Sequence, residues 1–450
     1  MIPLPLFDQR IVGVLGLGPS GLAVVEALTA GGARVIAWDA EEAARASCGA
    51  DILAVEDWPI AEMAAIILAD GDRDGLSRQV VVAAGEGETE VLTDLDLFAL
   101  GLEKSGHRDD VNVIAVTGAA GKSVTISIIA HILREQGRAV AIGGDLGAPF
   151  LGLPAPNEGM TYLLELPVRR LTTVRRMRTD VSIVLNVAGR RPTAEIELAL
   201  RSLLKIYRSQ NAGDTAIVGV DDPIGQKVCT LLRSGRADVA TIGTVIPVSG
   251  EASLGHGVFV LDGAAYSAKR GRTQTLGDFS RADGFLGTHF NQDAAAATAA
   301  CLSMGIAPAM IVKSLHSYSG LPGRFECLGA AGKVIFVDDS YASCQTAAER
   351  AVNACPNVFW IGGGPVSEGG EVPIAASAIN GAYFLGDGKS SGETLPSAFE
   401  AAFLDARAFA DKDPDAAPVV LFSPGVPAAQ GGFAPDEFRS LAAQVIDTRY

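Results

Sequence analysis

The stretch AVTGAAGKSVT, residues 115–125, decides the fold class of this chain. An apolar run of buried-strand character enters Gly118-Ala119-Ala120-Gly121-Lys122-Ser123, and a stretch with helical apolar spacing leaves it. Strand, glycine loop and helix in that order make a phosphate-binding loop, here in the short form G-x-x-G-K-[ST]. The backbone N–H groups of such a loop form an anion nest, Lys122 reaches the β- and γ-phosphates, and Ser123 ligates Mg2+. A lysine that merely capped a surface turn would not need all three parts in sequence. The expectation is therefore an α/β protein that takes ATP and Mg2+ at residues 118–123.

Toward the amino terminus, residues 11–15, 34–38, 65–68 and 79–83 read as buried strands with helical patterns between several of them. This predicts a small doubly wound parallel sheet. Gly16-Leu17-Gly18-Pro19-Ser20-Gly21 joins its first strand to a helix, and Asp39 ends the second strand. Glycines at such a turn let the backbone approach a diphosphate at a helix amino terminus. A dinucleotide, another nucleotide-like ligand and a purely structural turn all remain open at this loop. No hydride-transfer site follows it, which lowers the dehydrogenase reading.

A polar linker is expected at residues 103–110. Beyond it, strands are expected at 111–117, 162–165, 181–186, 215–220 and 238–243, a β-rich meander at 257–283, and an Ala-rich helix at 291–304. Near Gly320 the pattern restarts, with strands at 333–337, 358–361, 382–385 and 419–422. The expected organisation is three α/β domains: a Rossmann-like domain 1–108, a central P-loop ATPase-type domain 109–317, and a Rossmann-like carboxyl-terminal domain 318–450.

Several residues near these strand ends carry chemistry. Glu165 ends an apolar strand, where a carboxylate is well placed for Mg2+. Lys205 lies on an amphipathic helix, and its ordinary role is a solvated face. His289 opens the Ala-rich helix, where a lone histidine more often caps or packs. Asp338-Asp339-Ser340 ends a strand of the third domain, and paired acids there contact a ribose or a metal, or simply make a turn.

Composition excludes some classes. A formal net charge of −16 argues against non-specific nucleic-acid binding, so any phosphate must be held by a local site. The six cysteines, Cys48, Cys229, Cys301, Cys327, Cys344 and Cys355, show neither a CxxC pair nor zinc spacing, as expected of reduced thiols. No secretory leader and no transmembrane run is read. The expectation is a cytoplasmic monomer whose partners are small molecules, without nucleic acid or membrane.

The order of the motifs resembles the Mur ligase superfamily across essentially the whole chain, and most of all its D-glutamate-adding branch. GLGPSGLAVVEAL (16–28) and VLTDLDLFA (91–99) resemble the opening and closing of that branch's first domain, which holds the UDP moiety. VTGAAGKS is similar to VTGTNGKS, GGDLG (143–147) to GGNIG, GLPGRFE (320–326) to GLPHRFE, DDSYAS (338–343) to NDSKAT, and FSP (422–424) to LSP. LLEL (163–166) brings Glu165 onto the family's magnesium glutamate, and LNV (185–187) resembles the start of its next motif.

The resemblance implies ATP-dependent ligation of a UDP-sugar-linked acid to an amino acid in peptidoglycan synthesis, through an acyl phosphate. It implies nucleotide binding by Gly118, Ala119, Ala120, Gly121, Lys122, Ser123, Asp293, Arg324 and Asp339, and Mg2+ binding by Ser123 and Glu165. It carries a catalytic role to Lys122, Lys205 and His289, with Lys205 at the position of the family's carbamylated lysine. Substrate contacts fall on Gly16, Gly18, Gly21, Asp39, Ser343 and Ser423.

Departures cluster at the substrates. The family's Ser-Ser-Phe-Gln-Leu is Pro167-Val168-Arg169-Arg170-Leu171, its Asp-His pair is Arg190-Arg191, and the later Asn of G-x-H-N-x-x-N is Asp293. The Lys of NDSKAT is Tyr341, the loop 364–367 lacks a lysine, and Ala428 stands where a serine is expected. These changes keep two rivals open: a nucleotide-binding regulatory or scaffold paralogue, and a ligase for a different acid and amine. They also lead to the expectation that D-glutamate turnover is weak or absent.

Overall fold

The computed structural model describes all residues except 70–75, 87–88, 188–192, 236–242, 286, 364–378, 387–393, 414, 427, 429–432 and 447–450. The chain divides into two compact units: residues 1–118, 132–184 and 191–247 form one, and residues 119–131, 185–190 and 248–450 the other.

The first unit opens with a sheet of order β3-β2-β1-β4-β5, built from β1 (Ile11–Leu15), β2 (Arg34–Trp38), β3 (Asp51–Ile52), β4 (Ala65–Leu68) and β5 (Glu90–Thr93). All its pairings are parallel, with Val14 opposite Ala37 on one side and Ile67 on the other. Three of the expected strands fall here unchanged, but residues 79–83 do not. They belong to the helix Leu76–Glu86. Val80 and Ala84 are buried, one helical turn apart, while Val81 and Val82 face solvent. A β-branched run imitates a strand, but burial every fourth residue is a helical period.

The same unit holds a second parallel array, β10-β9-β6-β8-β7, from β6 (Asn112–Thr117), β7 (Val140–Gly144), β8 (Thr161–Glu165), β9 (Val181–Val184) and β10 (Thr215–Gly219). The near-continuous burial of β6, β8, β9 and β10 is what a sheet covered on both faces requires. The strand expected at 238–243 lies largely outside the described residues, and β11 (Thr244–Ser249) follows it.

In the second unit the expected meander is β12 (Gly257–Leu261), β13 (Ala264–Lys269) and β14 (Arg272–Asp278), joined antiparallel. The Ala-rich helix runs Asn291–Ser303, and its residues from Asn291 to Cys301 are all buried. Small side chains allow such close approach on every face. The last sheet has order β15-β16-β19-β17-β18, from β15 (Glu326–Ala331), β16 (Val334–Asp338), β17 (Val358–Gly362), β18 (Ile379–Phe384) and β19 (Val419–Phe422). Only β15 pairs antiparallel. An aromatic cluster packs its core, with Phe336 stacked on Phe399 and Phe422 on Phe438.

Within the first unit, the segment after β8 is clamped onto the helix Asp94–Lys104. Arg170 donates through one nitrogen to both Asp94 oxygens at 2.8 and 2.7 Å, and through the other to Ser20 Oγ at 3.3 Å. Its guanidinium also lies over the Phe150 ring. Asp96, fully buried, closes a capping box with Thr93 and accepts the N–H groups of Arg175 and Arg176 at 2.8 and 2.7 Å. Arg170 is thus engaged within the unit and Arg169 beside it is exposed, while Arg190 and Arg191 lie outside the described residues.

The Asp94 side chain is only 3% exposed, so removing the Arg170 cation takes a charged donor pair from a buried carboxylate. Arg170→Ala should lower unfolding free energy by about 2–4 kcal/mol, seen as a fall in the urea midpoint. Arg170→Lys, which keeps charge but not the fork, should recover only part of it. An unchanged midpoint in Arg170→Ala would mean the clamp adds nothing.

Candidate nucleotide and substrate site

The phosphate loop leaves β6 through Gly118 at φ +146° and turns again at Gly121 at φ +85°, both in the region glycine tolerates best. A Cβ on Gly121 would lie 2.1 Å from Asp293 Oδ1, so no side chain fits there. Lys122 opens the helix Lys122–Glu135 and Ser123 follows it, nearly buried. Helix N-terminus, lysine and hydroxyl thus converge on one turn, which suits a phosphate.

Asn186 organises the loop from the side. Its backbone carbonyl accepts the Ala119 N–H at 3.1 Å and its side-chain oxygen accepts the Ala120 N–H at 3.0 Å. Its amide donates to the Ala120 carbonyl at 3.1 Å and to Gln292 Oε1 at 3.0 Å. Ala119 and Ala120 therefore turn their N–H groups to Asn186. Gln292 was not singled out from the sequence, and the role of Asn186 becomes visible only once β9 is known to pair with β6.

Asp293 lies beneath the loop, 1% exposed, with Oδ1 making no hydrogen bond. Burial pushes its carboxyl up to about 7, against the pull of the Arg350 and Lys122 cations. Arg324 donates to the Tyr341 carbonyl at 2.5 Å and to Ser123 Oγ at 3.4 Å. Asp339 accepts from Ser423 Oγ at 2.7 Å and from the Phe325 N–H at 3.1 Å, and burial raises its carboxyl to about 7 as well. Ser423 is itself fully buried in that bond, whereas Ser343 is exposed. Asp338 turns to Arg439, which also holds Glu326 at 3.0 and 2.6 Å. His289 sits in the turn Thr288–Phe290 after Gly287 at φ +98°. The loop 364–367 lies outside the described residues.

In the first unit, Glu165 ends β8, 3% exposed, with Gly144 of the GGDLG segment opposite it in β7. A Cβ on Gly144 would lie 2.3 Å from the Glu165 carbonyl oxygen, so the two strand ends meet closely. Lys205 Nζ donates to the Thr172 carbonyl, and burial together with the Arg208 and Arg175 cations lowers its pKa. At the amino-terminal loop, Gly16 has φ +92° and a Cβ on Gly21 would lie 1.8 Å from its carbonyl oxygen. Gly18 begins the helix Pro19–Ala30. Asp39 accepts the Leu17 N–H at 2.6 Å and the Glu41 N–H at 2.9 Å, tying the loop to the end of β2.

Among the described residues no three His, Cys, Asp or Glu side chains cluster as a metal cage. Mg2+ does not need one, because it keeps waters and substrate phosphates and takes one or two protein ligands. Ser123 and Glu165 are oxygen donors of the right kind. No described helix is long and apolar enough to cross a membrane.

The carboxyl of Asp293 yields a pH prediction. With a folded pKa near 7 against 3.8 for the ordinary group, the native state holds a proton that the unfolded state loses between these values. Stability should thus fall as pH rises from about 4 to 7, then level off. Asp293→Asn has no proton to lose. In thermal unfolding it should narrow the gap between pH 5 and pH 8, by a few kcal/mol at most. An identical pH dependence in both proteins would refute the assignment.

No protein-family model matches the chain. It is 35% identical to the UDP-N-acetylmuramoylalanine–D-glutamate ligase of Phenylobacterium zucineum, covering 94% of this chain and 93% of that protein. It is 34% identical to the enzyme of that name from Caulobacter vibrioides, again over 94% and 93%. The Rhizobium meliloti protein of the same name is 33% identical over the same shares. Among solved structures, the MurF ligase of Thermotoga maritima in complex with ADP superposes with a TM-score of 0.54 at 17% identity, over 86% of this chain and 95% of that one. UDP-N-acetylmuramate–alanine ligase MurC of Thermotoga maritima gives 0.52 at 16% identity, over 97% and 99%. These two share the fold.

Proposed function

Since the chain belongs to the Mur ligase family, in its UDP-N-acetylmuramoylalanine–D-glutamate ligase branch, we propose that it joins D-glutamate to UDP-N-acetylmuramoyl-L-alanine at the expense of ATP. The observation that carries this reading is the loop of Gly121, Lys122 and Ser123 at the head of a helix, within a chain related to such ligases over nearly its full length. Similarity of that extent favours the ligase over a nucleotide-binding scaffold. It also favours D-glutamate, against the expectation of weak turnover. The three sheets support a division near residues 108 and 317 into a UDP-substrate domain, a nucleotide domain and a carboxyl-terminal domain.

Bound Mg-ATP supplies the phosphoryl group that converts the substrate carboxylate to an acyl phosphate. ADP is left behind; attack by the neutral D-glutamate amine on the acyl carbon would then give a tetrahedral adduct, which loses the amine proton and expels phosphate as the amide forms. The chain's part in this is positioning and charge neutralisation. Lys122 offsets charge on the β- and γ-phosphates, and Ser123 and Glu165 are the proposed Mg2+ ligands. Arg324 supplies a second cation beside Ser123, 3.4 Å from its hydroxyl. Asp293 and Asp339 act beneath and beside the nucleotide, and Lys205 and His289 complete the proposed catalytic set. Gly16, Gly18, Gly21 and Asp39 shape the loop for the UDP diphosphate, and Ser343 is the exposed hydroxyl for the amino acid. Asp339 and Ser423 serve through their mutual bond, which holds the strand ends together. The reactants imply a cytoplasmic site of action.

Phosphate release with UDP-N-acetylmuramoyl-L-alanine, D-glutamate and Mg-ATP tests this. Release should saturate with D-glutamate and fall by roughly a hundredfold or more in Lys122→Ala. Release with another amino acid only would change the amine, and none with any amino acid would return the scaffold reading.

A further inference from the structure

The turn 321–326 and the end of β16 are strung together. The Gly323 carbonyl accepts the Tyr341 N–H at 3.2 Å, and the Gly323 N–H donates to Glu326 Oε2 at 2.8 Å. Next in sequence, Arg324 donates to the Tyr341 carbonyl and reaches Ser123 Oγ. Its guanidinium carbon stands 5.5 Å from the centroid of the Tyr341 ring, which is about half exposed. As it stands, the ring occupies space that a side chain at residue 323 would need. A Cβ on Gly323, at φ +65°, would lie 2.5 Å from Tyr341 Cδ2. The motifs this chain resembles, GLPHRFE and NDSKAT, carry His and Lys at these two positions, so the two changes answer one another.

An arginine side chain has many rotamers, and fixing its planar fork beside a phosphate loop takes a second contact surface. Tyr341 provides one with its carbonyl on an edge of the fork and its ring near the fork's face. We propose that Tyr341 is a positioning residue for the nucleotide. It holds the Arg324 guanidinium beside Ser123, where the phosphates of a nucleoside triphosphate would bind, and Gly323 makes room for its ring. The proposal rests on the nucleotide reading above and adds to it what fixes the Arg324 guanidinium.

Calorimetric titration of Mg-ATP and of AMP into the full-length chain tests it. Tyr341→Phe keeps ring and carbonyl and should bind both ligands as the wild type does. Tyr341→Ala should weaken ATP roughly three- to fivefold, the scale of an exposed cation–π contact, while AMP, which lacks the outer phosphates, is unaffected. Arg324→Lys should lose about as much, and adding Tyr341→Ala to it should cost no more, because the two act as one device. Gly323→His alone should weaken ATP binding, and adding Tyr341→Lys should restore part of it, which a simple folding defect would not do. Thermal unfolding of each variant separates misfolding from loss of the contact. Tyr341→Ala binding ATP like the wild type, or losing AMP equally, would overturn the proposal alone. A wild-type chain that does not bind Mg-ATP would overturn the phosphate-loop reading and this proposal with it.

Discussion

The absence of a side chain at Gly121 is the constraint on which the nucleotide site depends. The buried carboxylate of Asp293 occupies the space a Cβ would need, and the positive φ at this residue turns the chain so that Lys122 and Ser123 open the next helix. Any larger residue would push the loop off the amino terminus of the helix Asn291–Ser303. That helix is itself built from small residues buried on all sides, so it has little room to yield. The phosphate loop is therefore shaped as much by what lies beneath it as by its own glycines.

Buried acids recur in the first turns of helices and after β16, and each is held differently. Asp94 meets an arginine, Asp96 collects backbone N–H groups, and Asp339 takes a serine hydroxyl and one N–H. Asp293 keeps an oxygen without a hydrogen bond, and burial holds it near neutrality. Burial raises the carboxyls of both Asp293 and Asp339 to about 7, even though Asp339 has two donors.

The relatives share about a third of their residues with this chain, yet the match runs nearly end to end. Fold tolerates that divergence because parallel strands ask mainly for apolar character and compatible volume. Where residues are replaced, one exchange can be answered by another. The pair Gly323 and Tyr341 illustrates this: the ring of one fills the space the other vacates.

Much of the fold was legible because period and punctuation coincide. β1, β2, β4 and β19 occupy the spans their apolar runs suggested, and the phosphate loop announced itself by glycines between a strand and a helix. Residues 79–83 misled because a run of valines fits a strand locally, and only packing on one helical face reveals the true period. The sequence also marked Asp39, Glu165, Asp293, Arg324, Asp339 and Ser423, since each falls at a strand end or a motif position. Their partners could not be read there. Asp39 bonds to Leu17, Asp94 to Arg170 and Asp339 to Ser423 across 22, 76 and 84 positions of chain. Local sequence determines which element forms and where it turns. Only tertiary structure brings distant side chains within a few ångströms of one another, and so decides which residues hold one another in place.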